Sequence, residues 1–428
     1  MKKKNVPACG IFAAVTLAAL LLTGCPQDTA DSGGGKADYT AASIADMREW
    51  LSGQPDNTAA AAYTVKLNVS DIGGDSWAYD STTDNSAGMA IRLSEKYVSL
   101  DLSGSTITTI PDEAFGSMLG RNRNPYLTGI TIPNSVTAIG NRAFFDCTSL
   151  ARITIPASVT SIGREAFAYC TSLASVTIPA SVTTIEAETF LLCTSLASVT
   201  IPNSVTSIES QAFELCTSLA SVTIPASVTS IESWAFARCT SLAAINAAAA
   251  NTAYTSQDGV LYNKNKTLLH TYPAGKTGST FTIPNSVASI GDGAFVFCTS
   301  LTSVTIGNSV TSIETWAFSD CTSLASVTIG NSVDSIGHSA FIRCTGLASV
   351  TIPNSVTSIG IGAFLECTSL ASVTFQGTIA SDRFKSSAFH GDLHDKYLAG
   401  GIGTYTTNTT NTPIPDVIWE WELVWTKI

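Results

Sequence analysis

The sequence predicts a solenoid of stacked coils, and three observations carry that prediction. A phrase close to CTSLASVTIPASVTSIESWAF, Cys216 to Phe236, returns almost every 23 residues. Ile132, Ile155, Ile178, Ile201 and Ile224 stand 23 apart, as do Ile283, Ile306, Ile329, Ile352 and Phe375. One copy cannot bury its own Leu, Val, Ile and Phe, whereas stacked copies bury them in a continuous core.

The chain begins with MKKK, a basic segment, followed by the apolar run ACGIFAAVTLAALLLTG. That run is too short and too early for a stable membrane span and has the form of a signal peptide over 1–24. It ends in Leu22-Thr23-Gly24-Cys25, which resembles a bacterial lipobox with Cys25 as the lipidated residue. An ordinary signal peptide that contains a cysteine stays open as the other reading. Residues 25–38 are polar and Gly-rich and read as a flexible tether.

A small N-terminal α/β cap is expected over 39–98. Ser43 can cap a short helix in SIADMREWLSG, with Ile44, Met47 and Leu51 on one face and Gly53 as its stop. Tyr63, Val65, Leu67 and Val69 then alternate as in a strand.

From 99 to 390 each copy reads L-x-x-V-T-I-P-x-S-V-T-x-I-x-x-x-A-F-x-x-C-T-S, and its period lies in the leucine-rich repeat range. LASVTI predicts a strand with Leu219, Val222 and Ile224 inward and Ser221 and Thr223 outward. SVTSI predicts a second short extended piece. The spacing of Ile231, Ala235 and Phe236 predicts a turn of helix or 3₁₀. The A-F or T-F pairs ending between Phe115 and Phe389 predict about eleven coils, the first and last degenerate.

The rhythm breaks between Cys239 and Cys298, giving an irregular coil over 243–282. Asn263-Lys264-Asn265-Lys266 reads as a hairpin tip there. Two readings stay open: an oversized coil that still stacks, or a projecting contact site built from Tyr254, Tyr262 and Tyr272. A C-terminal β cap is expected over 391–428, where Trp419, Trp421, Leu423 and Trp425 alternate.

The chemistry-bearing residues are few. Formal net charge is −11, from 22 Lys+Arg against 33 Asp+Glu, which argues against binding nucleic acid. Nine cysteines recur in the repeats without the C-x₂₋₄-C spacing of a zinc site, and read as an inward ladder of reduced thiols. His390 and His394, with Asp392 and Asp395, read as loop composition rather than a metal site. Glu186, Glu209, Glu232 and Glu314 recur at one coil position as a solvated row, with a weak cation strip as the alternative. No nucleophile elbow, phosphate loop or carboxylate pair is present, so no enzyme and no cofactor is expected.

What remains is an outward hydroxyl face. Ser175 and Thr177, Ser198 and Thr200, Ser221 and Thr223 form two rows. Ser303 and Thr305, Ser326 and Thr328, and Ser349 and Thr351 continue them. Such short side chains suit an exposed strand; they also suit recognition of a protein or glycan over a broad surface, or, less well, ice.

CTSLASVTIPASVTSIESWAF resembles the BspA-like leucine-rich repeats over roughly 98–390. GDLHDKYLAGGIGTYT looks like the end cap of treponemal members, which are spirochaete lipoproteins. The resemblance implies a cell-surface protein that adheres to host matrix proteins or to other bacteria. The reading is therefore a lipid-anchored, extracytoplasmic binding module, most simply at the outer membrane and touching the membrane only through its lipid. A structural envelope protein without a dedicated ligand is the alternative.

Overall fold

The computed structural model describes residues 39–73, 86–116, 124–407 and 423–428. The expected lipidation at Cys25, the tether, Trp419 and Trp421 lie outside these residues.

The described chain is a parallel-strand solenoid of about 14 turns. Each turn contributes one strand to a first row, from Tyr39–Ala41 through Ala244–Ala247 and then Thr280–Thr282 through Ser372–Phe375. The count exceeds eleven because the stack starts two turns earlier than its sequence period does and because the irregular coil, beginning at Ala244–Ala247, adds a turn without the counted Phe. Tyr39–Ala41 pairs in parallel with Tyr63–Leu67, which pairs with Val98–Asp101, which pairs with Leu127–Thr131. The expected N-terminal cap is thus part of the solenoid. Its coils depart from the 23-residue length because helices α1 (Ile44–Ser52) and α2 (Ala87–Ser94) are inserted in them.

Helix α1 forms as its sequence dictates. Ser43 Oγ accepts the Asp46 N–H at 3.1 Å, Met47 and Leu51 are buried, and Gly53 closes the C-terminus. The Asp46 carboxylate also accepts the Tyr39 hydroxyl at 2.5 Å, which ties the helix to the first strand. Tyr39 then stacks on Trp50 with ring centroids 4.6 Å apart.

In the regular coils the short SVTSI piece forms a second row, such as Ser207–Ile208 paired in register with Ser230–Ile231. Inward Val, Ile and Leu of both rows are buried, Val199 only partly. The third side is not helical. In GNRAFFDC, Arg142 and Asp146 have φ of 54° and 56°, and every regular coil repeats this pair of left-handed residues. Alternate N–H groups of the arc close local turns, as Phe145 N–H does onto the Arg142 carbonyl. The intervening ones reach the next coil, as Phe144 N–H does onto the Ala166 carbonyl. The I-x-x-x-A-F spacing satisfied a helical pattern, but left-handed residues at intervals of four exclude a helix.

Inside this arc the phenylalanines stack. Phe115, Phe144, Phe167, Phe190, Phe213 and Phe236 lie face to face at 5.2 to 5.5 Å. The second half repeats this from Phe295 to Phe389 at 4.5 to 5.0 Å. Next to every ring except Phe115 and Phe389 lies a buried thiol that donates to a carbonyl one coil back: Cys216 Sγ to Phe190 O at 3.2 Å, for example. All nine repeat cysteines are free and buried. Threonine hydroxyls add further ladders, with Thr194 donating to Thr171 O and Thr217 to Thr194 O, each at 3.3 Å.

The stack ends by reversing strand direction. Gly403–Thr407 pairs antiparallel with Ser372–Phe375, and Trp425–Lys427 pairs antiparallel with Gly403–Thr407. Helix α3 (Leu393–Gly400) belongs to this cap, so it is α/β rather than purely β. Trp425 is buried, its indole N–H donating to His390 O and its backbone N–H to Asp392 Oδ1. A reversed, covered edge offers no template for a further parallel coil.

Candidate binding face

The first strand row displays the hydroxyl pairs in strict register. Ser175 lies opposite Ser198, and Thr177 opposite Thr200. Beyond the irregular coil, Ser303, Ser326, Thr305 and Thr328 repeat the arrangement, as do Ser349, Ser372, Thr351 and Thr374. Period-two alternation turns Val176 and Val222 inward, so the flanking Ser and Thr must face out. Ser175, Thr177, Ser198, Thr200, Ser221 and Thr223 are all exposed, as are Thr305, Ser326, Thr328, Ser349 and Thr351, while Ser303 is half-buried. An exposed alanine column, Ala174, Ala197 and Ala220, runs beside them.

These hydroxyls differ from the others in the coil. Ser158, Ser181, Ser204 and Ser355 of the P-x-S-V segment donate to the preceding coil, Ser204 to Val182 O at 2.7 Å, while the buried Ser227 hydroxyl has no partner. Thr171, Thr194, Thr217 and Thr345 of the C-T-S segment do the same. By contrast, none of the side-chain hydrogen bonds among the described residues uses Ser175, Thr177, Ser198, Thr200, Ser221 or Thr223. Further along, Ser303 and Ser326 pair with each other at 3.0 Å, and Thr374 pairs with Thr404 at 2.9 Å. The face therefore offers uncommitted donors and acceptors at the spacing of adjacent strands, about 4.8 Å.

The tyrosines of the irregular coil do not project. Tyr254, Tyr262 and Tyr272 retain 8%, 1% and 4% of their surface, which corrects the contact-site alternative. Burial pushes the hydroxyls of Tyr262 and Tyr272 up to about 12. Tyr272 takes the place of the repeat phenylalanine, stacking on Phe295 at 5.0 Å and accepting the Cys298 thiol on its carbonyl. Tyr254 and His270 cap the end of the short strand Ser230–Ile231. The Tyr254 hydroxyl accepts the Ile231 N–H at 2.7 Å, and His270 Nε2 donates to Ile231 O at 2.9 Å. Because Ile231 O can only accept, the neutral imidazole carries its proton on Nε2 and leaves Nδ1 to the Thr271 hydroxyl, and burial lowers the pKa of this imidazole. The expected hairpin is present, with Val260–Asn263 antiparallel to Leu268–Thr271 around Asn263–Lys266. Sequence reasoning missed the capping role because a Tyr and a His sixteen residues apart carry no local signal.

No cluster of three His, Cys, Asp or Glu that could hold a metal occurs among the described residues. His394 bonds Asp395 and Phe384 O within the cap. Glu232 and Glu314 accept hydroxyls of their own short strands, from Ser230 and Ser312. Together with Asp292 they border a cavity of about 410 Å³ beside Tyr254 and His270. Burial raises the thiols of Cys147, Cys170, Cys193 and Cys216, which removes them from thiolate chemistry at neutral pH.

Comparison with known proteins agrees with this geometry. The family model described as a BspA type leucine rich repeat region matches residues 108–243 and 274–393, more than half of the chain. None of the curated proteins matches it. A leucine rich cell surface protein from Faecalibacterium prausnitzii is 36% identical with a TM-score of 0.54. The match covers 62% of this chain and 76% of that one. The pneumococcal vaccine antigen PcpA shares the fold at 24% identity and a TM-score of 0.57, over 68% of this chain and 81% of its own. A leucine rich repeat protein of T. pallidum is 24% identical over 51% of this chain and 77% of its own. Its TM-score of 0.28 carries no argument for a treponemal subtype. No helix of the described residues is long and apolar enough to cross a membrane. Repeat, ladder and fold lead to one conclusion: the chain belongs to the BspA-type leucine-rich repeat family.

Proposed function

We propose that the protein is a lipid-anchored, cell-surface adhesion module of the spirochaete lipoprotein type. It binds a host matrix protein or a surface protein of another bacterium through its first strand row. One observation carries this reading. Other hydroxyls of the coil, such as those of Ser204 and Thr217, donate to the preceding coil, whereas those of Ser175, Thr177, Ser198, Thr200, Ser221 and Thr223 face outside and enter no side-chain hydrogen bond among the described residues. Each pair contributes little, and affinity comes from the number of coils engaged.

Two experiments test it. Cys25→Ala should leave the precursor uncleaved by the lipoprotein peptidase and poorly retained in membranes; normal lipid labelling in that variant removes the anchor. The purified, non-lipidated protein, presented to immobilised matrix proteins and to whole partner bacteria, should bind at least one saturably. No saturable binding across a broad panel removes adhesion and leaves a structural envelope role.

A further inference from the structure

The turn side of the solenoid carries a second surface with different chemistry. The second left-handed residue of each arc stands between a buried Phe and a buried Cys. In three successive coils it is Tyr169, Leu192 and Leu215. Tyr169 is 36% exposed and the two leucines are half-buried. Phe145, also half-buried, extends this ridge by packing its ring on Tyr169 at 5.2 Å. The position does not demand apolar residues, since other coils place Arg238, Asp320, Arg343 and Glu366 there with the same φ. Three apolar side chains in a row are therefore a property of these coils and not of the fold.

Spacing and charge say what such a ridge fits. Directly beneath it the rings of Phe144, Phe167, Phe190 and Phe213 are 5.2 to 5.5 Å apart. Beyond the irregular coil the same distance falls to 4.5 to 5.0 Å. An α-helix rises about 5.4 Å per turn, so a helix laid along the ridge stays in step with it, one turn per coil. Carboxylates stand at the start of the arcs of Leu192 and Leu215, at Glu186 and Glu209, and Glu232 continues the row into the next coil, whereas the arc of Tyr169 starts at Gly163. The ion pairs of these coils join Arg142 to Glu165, Arg164 to Glu188 and Arg238 to Glu214, and leave those three carboxylates uncompensated.

We propose that the ridge from Phe145 to Leu215 docks an amphipathic α-helix of a partner protein, with leucine-like side chains on one stripe and Lys or Arg along the adjoining flank. This surface is separate from the hydroxyl face, and either can fail without the other.

The test uses the purified chain and a display library of stapled helices about five turns long. Leucines are fixed at i, i+4, i+7 and i+11, and the flank positions are randomised. Selection should enrich Lys and Arg on one flank. Binding of the enriched peptide should weaken about tenfold or more in Leu192→Glu/Leu215→Glu. It should weaken less, and lose most of its salt dependence, in Glu186→Gln/Glu209→Gln. The ridge variant should fold, because Asp320 and Glu366 already occupy its register; an unchanged melting temperature checks this. Ser221→Arg/Thr223→Arg on the hydroxyl face should leave peptide binding untouched. Failure of any helix to enrich, selection of acidic flanks, or equal binding by the ridge variant overturns the proposal. A wild-type dimer that the ridge variant converts to monomer also overturns it, in favour of a second copy of this chain.

Discussion

The thiol of Cys239 donates to the carbonyl of Phe213, 3.1 Å away and 26 residues earlier, from the arc of one coil into that of its neighbour. The same step links Cys193 to Phe167 and Cys344 to Phe318. Each of these thiols is thus engaged by a carbonyl of the neighbouring coil, and all nine repeat cysteines are free of disulfides. The native, non-lipidated protein should react negligibly with a thiol reagent, and full denaturation without reductant should release all nine repeat thiols. A count near one after denaturation contradicts the ladder.

The adjacent phenylalanines carry a larger share of stability. Phe213 is fully buried between Phe190 and Phe236. Phe213→Ala should cost about 3–5 kcal/mol, and the loss should spread to both neighbours, because each coil is a wall for the next. Ser221→Ala, on the exposed strand face, should stay within about 0.5 kcal/mol. Chemical denaturation of the two variants checks the contrast, and equal losses would reverse the inside and outside assignments.

The irregular coil gives the fold a pH dependence. Burial lowers the pKa of His270 from its ordinary 6.5, so the folded state resists a proton that the unfolded chain accepts. Stability is therefore fully present above about pH 6.5 and declines as pH falls below it, levelling out below the folded pKa. His270→Gln can keep a hydrogen bond to Ile231 O without titrating. Its melting temperature should fall less between pH 8 and pH 5 than that of wild type. A parallel fall in both proteins would show that His270 does not carry the effect.

Much of this architecture is legible in the residues, for identifiable reasons. The period is visible because every buried Phe, Cys and Ile occupies the same slot, so Ile132 to Ile224 repeat without drift. The first coils are not visible, because α1 and α2 lengthen them irregularly and their strands Tyr39–Ala41 and Tyr63–Leu67 keep no 23-residue step. The turn arcs mimic a helix in spacing alone. Most of their left-handed residues carry side chains, such as Arg, Glu, Tyr, Leu and Trp, and only Gly293 and Gly362 are the glycine that announces such backbone. The tyrosines of the irregular coil sit among polar neighbours, and only the stacked structure shows Tyr262 and Tyr272 filling the core. At the candidate face, the register and exposure of Ser198 and Thr200 follow from strand alternation. That Thr194 and Ser204 serve the interior could not be read from composition, since all four are short hydroxyl residues.

The central claim is that the outward hydroxyls of the first strand row form the binding surface. The most direct measurement is a binding isotherm against the immobilised protein that wild type binds saturably, using Ser175, Thr177, Ser198, Thr200, Ser221 and Thr223 all replaced by Arg. The account predicts that this variant keeps its circular dichroism spectrum and loses binding. Replacing Ser221 and Thr223 alone should weaken binding only a few-fold, because contacts are spread over coils. Undiminished affinity in the folded six-residue variant would contradict the assignment of this face.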